Sequence, residues 1–206
     1  MKRGLFISIE GLDKVGKTTQ CNKLLTYLIN NGHKVEYFCF PARFTDIGKI
    51  LTSYLKFEKK LDDRTIHLLF SANRWEFASL LEERLNNGIS IIVDRYVLSG
   101  VAYTSAKGID INWCKQCDHG LLKPDIVIFM KIDINILSTR LFGEERYENI
   151  SFQRLVNEKF KQIIKNESIN FKIVNASKSI DEIHEDIKCI INNIINDKRY
   201  PIEKLW

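Results

Sequence analysis

The sequence predicts an α/β protein in which a five-stranded parallel sheet carries helices on both faces. Short apolar segments alternate along the chain with amphipathic segments of helical periodicity. The short segments are apolar almost throughout, which is typical of parallel strands buried on both faces. Right-handed crossovers would place the intervening helices on both faces of such a sheet. No linker, repeat or low-complexity tract interrupts the pattern, so we expect one domain over residues 1–206.

The predicted strands are short, rich in β-branched or aromatic residues, and bounded by turn residues. In chain order they are 5–10, 35–40, 89–94, 125–132 and 171–176. Helical periodicity predicts helices at 17–31, 61–87, 149–167 and 179–197. The first two of these helices end at an Asn-Asn-Gly sequence, a common helix stop. In parallel sheets ligands bind beyond the carboxyl ends of the strands, so we look for chemistry in the residues after each strand.

The composition limits the class of protein. With 206 residues, 45% of them hydrophobic, the chain can bury one sizeable core. Its net charge of +5 suits small anionic ligands, and the basic residues form no single block of the kind that binds nucleic acid. The longest apolar run, Ile-Val-Ile-Phe-Met, is too short to cross a bilayer, which takes about 20 residues. We therefore expect neither a nucleic-acid nor a membrane partner.

The cysteines and the amino terminus indicate a reducing compartment. The chain has five cysteines, an odd number, and no small-residue cleavage site follows the first apolar run. We therefore expect a cytoplasmic protein, or one shared with the nucleus. Cys114 and Cys117 form a CxxC pair, which could be a redox pair or half a zinc site. Neither a second CxxC nor an HxxxH sequence accompanies it, which favours ordinary free thiols.

A glycine-rich loop follows the first predicted strand. Residues 11–18 fit the pattern G-x-x-x-x-G-K-[ST], with a strand before and a helix after. Gly11 and Gly16 allow the backbone N–H groups to turn inward around a phosphate, and the helix amino terminus adds positive potential. Lys17 supplies a full charge to the β- and γ-phosphates. The loop therefore predicts a nucleoside triphosphate site that comprises Gly11, Lys14, Val15, Gly16, Lys17, Thr18 and Thr19.

A triphosphate site of this kind needs an acidic partner for a metal ion. Asp94 follows the strand residues Ser-Ile-Ile-Val, in the position of a Walker B aspartate. The Thr18 hydroxyl is of the type that contacts Mg²⁺ next to the phosphates. We therefore expect Mg²⁺ as a cofactor, held by Thr18 and Asp94.

A second group of cations distinguishes a kinase from a switch or a motor. A GTPase would need a guanine-reading N-K-x-D sequence, and the related sequence at 175–178, Asn-Ala-Ser-Lys, lacks the Asp. A kinase needs a second anion site for its acceptor, and Arg43 and Arg95 each follow a predicted strand. An arginine fork matches phosphate geometry better than a lysine does, and Pro41 fixes the backbone close to Arg43. The pattern favours a kinase, with three further candidate cations: Arg74, Arg140 and Arg146.

Six segments together resemble the thymidylate kinase family, most closely its eukaryotic and poxviral branch. They are EGLDKVGKTTQ, FPAR, LLFSANRWE, DRYVLSGVAY, GLLKPDIV and GEERYE, and the likeness extends over essentially the whole chain. The resemblance implies a P-loop nucleoside-monophosphate kinase fold with a lid at about residues 141–147. It also implies transfer of the γ-phosphoryl group of ATP to dTMP, which gives dTDP and ADP in dTTP synthesis, and a homodimer.

The resemblance also assigns the acceptor site residue by residue. It implies that Arg43 and Arg95 clamp the phosphate of dTMP, while Phe70 stacks on the thymine ring and Arg74 reaches its polar edge. Tyr103 matches the aromatic residue near the sugar 2′ position, which would disfavour a ribonucleotide. The predicted dTMP-binding residues are Asp13, Phe40, Pro41, Arg43, Phe70, Arg74, Arg95, Ser99, Gly100, Tyr103 and Tyr147. From the residues alone, Phe70 could equally be a core residue of its helix.

The catalytic assignments rest on the same resemblance. It implies that Lys17 and the loop backbone hold the ATP phosphates and that Asp13 lies on the side of the deoxyribose hydroxyl. Lys14 stands where many relatives have arginine, so either Lys14 or the lid arginines could supply a cation at the transition state. We expect Lys14 to act there and Arg140 to pack against adenine and phosphate. The predicted catalytic residues are Asp13, Lys14, Lys17, Asp94 and Arg95.

A few residues have less specific assignments. By resemblance, the loop at 175–180, which includes Lys178, lines adenine through backbone groups. Glu148 and Gln153 are candidates for polar contacts on the lid side. Two aromatic residues near the site are expected to be packing residues: Trp75 and Tyr96.

Two other functions remain open at the level of sequence. The chain could be another pyrimidine nucleotide kinase or a deoxynucleoside kinase on the same scaffold. It could also be a non-catalytic nucleotide-binding switch, although the intact Lys17, Thr18 and Asp94 and the second set of arginines argue against that function.

Overall fold

The computed structural model describes residues 3–140, 145–197 and 201–206, which contain a five-stranded parallel sheet. The strands are β1 (Phe6–Gly11), β2 (Val35–Cys39), β3 (Ser90–Asp94), β4 (Ile126–Lys131) and β5 (Phe171–Asn175). Their order across the sheet is β2-β3-β1-β4-β5, and every neighbouring pair is parallel. The predicted fold class is confirmed, and each strand begins and ends within one residue of the predicted position.

Helices connect the strands and cover the sheet. Within the described ranges they are α1 (Lys17–Asn30), α2 (Asp46–Leu55), α3 (Asp63–Trp75), α4 (Ala78–Asn86), α5 (Val97–Ser105), α6 (Ile111–Gln116), α7 (Ile134–Ser138), α8 (Ile150–Asn166) and α9 (Ile180–Asn192). The predicted helices that correspond to α1, α8 and α9 are confirmed, although α9 ends earlier than expected. The shorter helices α2, α5, α6 and α7 were not predicted.

The single helix predicted over residues 61–87 is wrong, because the chain leaves the helix after Trp75 and starts a new one at Ala78. Phe77, at the junction, packs edge-on against Phe38, Phe40 and Phe44, with ring centroids 5.7–6.1 Å apart. Such aromatic pairs are stabilising beyond their buried area. Tertiary packing at this junction therefore overrides the continuous helical periodicity of the sequence.

The central strands of the sheet are more deeply buried than the edge strands, as the strand order requires. The central strands β1 and β3 are buried along their whole length, and β4 is buried except for Lys131. The edge strands β2 and β5 are only partly covered. The loops after β1 and β3 therefore leave the sheet side by side at its best-supported point, which is the usual place for a ligand in an open parallel sheet.

Helix α1 begins differently from the other long helices of the sheet. Helices α3, α8 and α9 each start with a side-chain cap, from Asp62, Asn149 and Ser179. Helix α1 starts at Gly16, which has no side-chain cap and a φ of 93°. The start of α1 thus lacks a capping side chain that would compete for its first N–H groups, as an anion-binding helix terminus requires.

Two predictions about aromatic packing had different outcomes. Tyr96 is 2% exposed and packs edge-on to Phe6, so its predicted packing role is confirmed. Trp75 was predicted to be a packing residue, but it is 43% exposed, and its indole N–H donates to the Cys117 carbonyl. The hydrogen bond holds one edge of the ring while much of the rest faces outward.

The cysteines are not joined by disulfides. All five cysteines are free thiols, Cys114 and Cys117 included. In the part of the chain that the structure describes, no cluster of three or more His, Cys, Asp or Glu side chains could hold a metal ion. None of the described helices is both long and apolar enough to span a bilayer.

Candidate active site

A cavity of about 470 Å³ opens at the carboxyl end of the sheet. The loop after β1, the segments after β2 and β3, helices α3 and α5, and residues 145–148 contribute to its walls. Every predicted dTMP-binding residue lines this cavity, together with Lys14, Gly16, Lys17, Thr18, Thr19 and Asp94. The predicted ATP-binding residues that do not line it are Gly11, Val15, Arg140 and Lys178. It also includes residues that the sequence did not indicate: Cys39, Leu55, Thr104 and Glu145.

The loop between β1 and α1 forms a turn that glycine makes possible. Gly11 and Gly16 have φ values of 148° and 93°, a region that L side chains rarely adopt. A Cβ on Gly11 would also lie 2.8 Å from the Met130 carbonyl oxygen, so glycine is required there by space as well. Lys14, between them, has a φ of 57°, which makes it one of the few non-glycine residues in this conformation.

The features of a phosphate site converge at the start of α1. Lys17 is only 5% exposed, and its ammonium donates to the Leu12 carbonyl oxygen. Burial lowers the pKa of Lys17 to about 8, and the nearby charge of Arg95 acts in the same direction. A phosphate bound in the loop would favour the charged ammonium and reverse that effect.

Thr18 and Asp94 form a pair of oxygen donors beside Lys17. The Thr18 hydroxyl donates to the Asp94 carboxylate, and both side chains line the cavity. The Tyr37 hydroxyl lies 3.4 Å from the same carboxylate oxygen. A hydroxyl and a carboxylate at a phosphate site are oxygen ligands of the kind that hard divalent cations take.

The inner wall of the cavity is built around Arg95. Its guanidinium pairs with the Asp13 carboxylate, and it also donates to the Gly11 carbonyl at 3.1 Å and the Ser99 hydroxyl at 3.2 Å. The guanidinium carbon lies 5.4 Å from the centre of the Tyr103 ring. These contacts from three sides fix the direction of the guanidinium, while one part of it still lines the cavity.

Gln153 has a more central place than the sequence indicated. It is a candidate for a lid-side polar contact in the sequence analysis, and the structure buries it fully on α8, in contact with both the predicted lid and the loop after β1. Its amide oxygen accepts from the Asp13 N–H at 3.0 Å, while its amide nitrogen donates to the Asp13 carboxylate at 2.7 Å and the Tyr147 carbonyl at 3.0 Å. Gln153 thus joins the loop after β1 to the start of α8.

Arg74 is held by a carboxylate that the sequence analysis missed. Its side chain is 2% exposed and makes a two-pronged ion pair with Asp118, at 3.1 and 2.6 Å. The Ser71 hydroxyl donates to the same carboxylate at 2.8 Å. A Cβ on Gly100 would lie 2.9 Å from the Arg74 guanidinium, so glycine at that position gives the arginine room beside the cavity.

At the mouth of the cavity, two cations are paired with acidic residues at the carboxyl-terminal end of the predicted lid and directly after it. Lys14 pairs with Glu148 and Arg43 pairs with Glu145, each at 2.8 Å. The hydrogen bond from Lys14 to Glu148 is the main reason that the pKa of Lys14 is raised. We call these the rim pairs. Of the predicted lid, residues 141–144 lie outside the described residues.

Three predicted cations do not line the cavity: Arg140, Arg146 and Lys178. Arg140 donates to the Lys14 carbonyl at 2.7 Å and the Ala176 carbonyl at 3.0 Å, and so links the two predicted ATP loops. Arg146 donates to the Tyr54 carbonyl at 2.9 Å, and its guanidinium carbon lies 4.2 Å from the centre of the Tyr54 ring. Lys178 pairs with Asp186 of α9 at 2.6 Å.

The fold and this cavity define the class of P-loop nucleoside-monophosphate kinases: a glycine-rich phosphate loop after β1 of a parallel sheet, with a second arginine-lined site alongside. Within that class, the sequence model described as thymidylate kinase matches residues 9–187. The chain therefore belongs to the thymidylate kinase family.

Individual relatives agree over the full length of the chain. The thymidylate kinases of Danio rerio and Homo sapiens are each 45% identical to it, over 100% of this chain and 98% of theirs. The solved structure of thymidylate kinase from Candida albicans has a TM-score of 0.87 and 37% identity, and the match covers 100% of both chains. The predicted activity is confirmed: the protein is an ATP-dependent kinase that phosphorylates dTMP to dTDP. The alternatives of another acceptor or a non-catalytic switch are set aside.

Proposed function

We propose that dTMP occupies the inner part of the cavity, with its thymine on Phe70 and its phosphate between Arg43 and Arg95. Support comes from one observation, that a single cavity is lined both by the phosphate loop and by this second set of arginines. The reaction requires the two phosphates to face each other, because phosphoryl transfer is catalysed mainly by positioning and by neutralising negative charge. Arg74, backed by Asp118, would present its remaining N–H groups to the polar edge of the base.

The sugar of dTMP would lie between Asp13 and Tyr103. Asp13 is held by Gln153 and Arg95, which leaves little freedom for the carboxylate to move. We propose that it accepts a hydrogen bond from the deoxyribose hydroxyl. Tyr103 is 8% exposed and packs 5.5 Å from the ring of Tyr147, so a 2′-hydroxyl would meet an immobile aromatic wall.

The donor side would be formed by the loop after β1 and the start of α1. The N–H groups of α1 and the Lys17 ammonium would bind the β- and γ-phosphates of ATP. Thr18 and Asp94 would hold Mg²⁺, because their hydroxyl and carboxylate oxygens fit its preference, and substrate phosphates would complete the ligand set. Bound there, the ion would neutralise charge on the phosphates. Arg140 and Lys178 would border the adenine side.

Lys14 is the residue we propose for the cation at the transition state. Its ammonium pairs with Glu148 and its backbone follows Asp13 directly, so a small movement could bring it to the transferring group. Lys14→Ala should lower kcat with little effect on the KM for ATP, and Lys14→Arg should retain most of the rate. An Ala variant with a raised KM for ATP and an unchanged kcat would assign Lys14 to ground-state binding instead.

We further propose that the protein acts as a single-domain homodimer in the cytoplasm. Leu68 and Trp75 lie seven positions apart on α3, and their side chains are 50% and 43% exposed, so this helix offers an apolar surface to a second copy. Sedimentation equilibrium should give twice the chain mass. A Leu68→Glu/Trp75→Glu variant should then sediment as a monomer.

The placement of thymine on Phe70 has a direct test. Phe70→Ala should raise the KM for dTMP about 10-fold or more, since it removes a stacking contact and its buried area, whereas Phe70→Tyr keeps the ring and should remain near wild type. The KM for ATP should not change in either variant. Equal losses for dTMP and ATP, or a bound structure with the base away from Phe70, would place dTMP elsewhere.

A further inference from the structure

Glu10 is a buried carboxylate to which neither the motif nor the site assignment gave a role. It lies in β1 one residue before the phosphate loop, and it is fully buried. Its neighbours in space come from the segment after β3, more than 80 positions along the chain. A buried acidic residue is costly unless its oxygens are satisfied, so its partners indicate what it does.

The hydrogen bonds that Glu10 accepts converge on the start of α5. One oxygen accepts from the Tyr96 N–H at 2.9 Å and from the Ser99 N–H at 3.3 Å, and the other accepts from the Ser99 hydroxyl at 2.5 Å. Helix α5 has no side-chain cap of its own, since Tyr96 occupies that position. Glu10 therefore supplies from a neighbouring strand the cap that the local sequence lacks.

Arg95 lies in the turn that this cap stabilises. It has a φ of 64°, a backbone conformation that is uncommon for a residue with a side chain. Its own N–H donates to the Ile9 carbonyl of β1 at 3.0 Å, and its guanidinium donates to the Ser99 hydroxyl at 3.2 Å. Thus β1 holds the backbone of Arg95, and Ser99 contacts its side chain.

The Ser99 hydroxyl connects the carboxylate to the guanidinium. A hydroxyl has one proton and two lone pairs, so a Ser99 hydroxyl that donates to Glu10 turns its lone pairs toward Arg95. The carboxylate therefore sets the polarity of a short chain in which Arg95 donates to Ser99 and Ser99 donates to Glu10. Charge at both ends strengthens each bond of such a chain.

We infer that Glu10 is a positioning residue for dTMP binding: its carboxylate holds Arg95 toward the acceptor phosphate through Ser99 and the capped start of α5. This inference rests on the proposed contact between Arg95 and the phosphate of dTMP. Glu10 is fully buried and does not line the cavity, so it would act only through Arg95, which the proposed site assigns to dTMP and not to ATP. Asp13, the carboxylate that pairs directly with the Arg95 guanidinium, lines the cavity and belongs to the proposed substrate site itself.

Glu10→Gln tests the polarity of the chain with almost no change of shape. The substituted side chain still accepts from the two N–H groups, but its amide nitrogen donates to the Ser99 hydroxyl instead of accepting from it. The Ser99 proton must then leave this chain, and the bond from Ser99 to a charged acceptor is lost. The KM for dTMP should rise roughly 10- to 100-fold, the range expected when a hydrogen bond to a charged group is lost, with the KM for ATP unchanged. A Glu10→Gln enzyme with wild-type kinetics for dTMP overturns the inference.

Ser99→Ala and Ser90→Ala form a matched pair of serine variants. Ser99→Ala removes the link and should reproduce the rise in KM for dTMP. Ser90 is also a buried serine, but its hydroxyl accepts from the Leu5 N–H at the opposite end of the sheet. Ser90→Ala should therefore lower stability to urea without changing the KM for dTMP. If Glu10→Gln does not fold, an unchanged KM for dTMP in Ser99→Ala still overturns the inference.

Arg95→Lys separates a failure of this inference from a failure of the proposed site. Alone, it should raise the KM for dTMP about 10-fold or more, because a lysine cannot make the same forked contacts. Adding Glu10→Gln to Arg95→Lys should produce little further rise, since both act on one contact. An unaffected Arg95→Lys enzyme would reject the proposed phosphate site, whereas fully additive effects would reject the positioning role of Glu10 alone.

Discussion

Two groups of ion pairs surround the same cavity, and they differ in how firmly they are held. The inner pairs, Arg74–Asp118 and Arg95–Asp13, have side chains that are 0–20% exposed, and neighbouring hydrogen bonds satisfy them further. The cations of the rim pairs, Lys14 and Arg43, are 39% and 45% exposed. Buried pairs are costly to break, whereas exposed pairs contribute little. The inner wall is therefore firmly held, and under the proposed placement of dTMP the rim cations would exchange their carboxylates for phosphate.

The largest expected effect is on stability, from removing one partner of the innermost pair. Asp118→Ala leaves the Arg74 charge buried without its carboxylate, which should lower the free energy of unfolding by about 3–5 kcal/mol. Asp118→Asn keeps an acceptor for the Ser71 hydroxyl and should cost less. Urea unfolding monitored by tryptophan fluorescence measures both. A loss below about 1 kcal/mol for Asp118→Ala would make this pair energetically equivalent to a rim pair.

Lys17 extends the comparison to catalysis. It is a buried cation like the two inner arginines, but its ammonium donates to a backbone carbonyl, whereas each of those arginines pairs with a carboxylate. Lys17→Met should lower kcat/KM by roughly 10²–10³-fold, as removal of a preorganised charge at a phosphate does in comparable sites. Folding should be little affected, since the variant relieves the burial of a charge. A retained rate would show that the loop N–H groups suffice without it.

The pH dependence of Lys17 gives a second view of the same residue. Its pKa in the free enzyme is about 8, so the fraction that carries a charge falls as the pH rises through that value. The kcat/KM for ATP reports the free enzyme and should decline above about pH 8. Lys17→Arg should abolish that decline, because the guanidinium stays charged.

His67 provides a smaller effect, on the scaffold behind the inner wall. It is fully buried on α3; its Nε2 faces the Cys114 carbonyl and its Nδ1 faces the Thr104 hydroxyl. Burial lowers its pKa, opposed in part by the hydrogen bond to Cys114, and the charges of Arg74 and Lys107 lower it further while Asp118 raises it. The native state therefore disfavours the imidazolium.

Because the folded pKa of His67 lies below its unfolded value, its contribution to stability is complete above about pH 6.5 and is lost as the pH falls toward the folded value. The free energy of unfolding should decrease between pH 7 and pH 5 more steeply in wild type than in His67→Gln. His184 also has a lowered pKa, again mainly from burial. His184→Gln should therefore flatten the slope in the same direction, and equal slopes in wild type and His67→Gln would remove His67 from this dependence.

Local pattern was enough to predict the sheet and the phosphate loop. Five apolar segments, each between turn residues, gave strand bounds close to those observed, because a strand buried on both faces must be apolar along its length. The loop was predictable since Gly11, Gly16 and Lys17 lie close together in sequence, and the geometry they impose is local.

The missed features depend on contacts between distant parts of the chain. Asp118 is 44 positions from Arg74, and Glu10 is 89 positions from Ser99, so no periodicity could have paired them. Gln153 was a candidate for a lid-side polar contact, and it does donate to the Tyr147 carbonyl, but the sequence did not indicate its hydrogen bonds to Asp13, 140 positions away. A single sequence indicates which residues are polar, but it does not indicate which buried partners satisfy them.

The smallest expected effect comes from the rim pairs. The direction in which the KM for dTMP changes tells whether Arg43 exchanges its carboxylate for phosphate or is held by it. Glu145→Gln removes the partner of Arg43 and should change the free energy of unfolding by less than about 1 kcal/mol, because both side chains are partly exposed. If Arg43 must leave Glu145 to bind the phosphate of dTMP, Glu145→Gln should lower the KM for dTMP a few-fold. The control is Glu148→Gln, which frees Lys14 instead and should leave the KM for dTMP unchanged. A raised KM for dTMP in Glu145→Gln would mean that the Glu145 carboxylate orients Arg43, as Asp118 orients Arg74. The rim pairs and the inner pairs would then differ in solvent exposure but not in function.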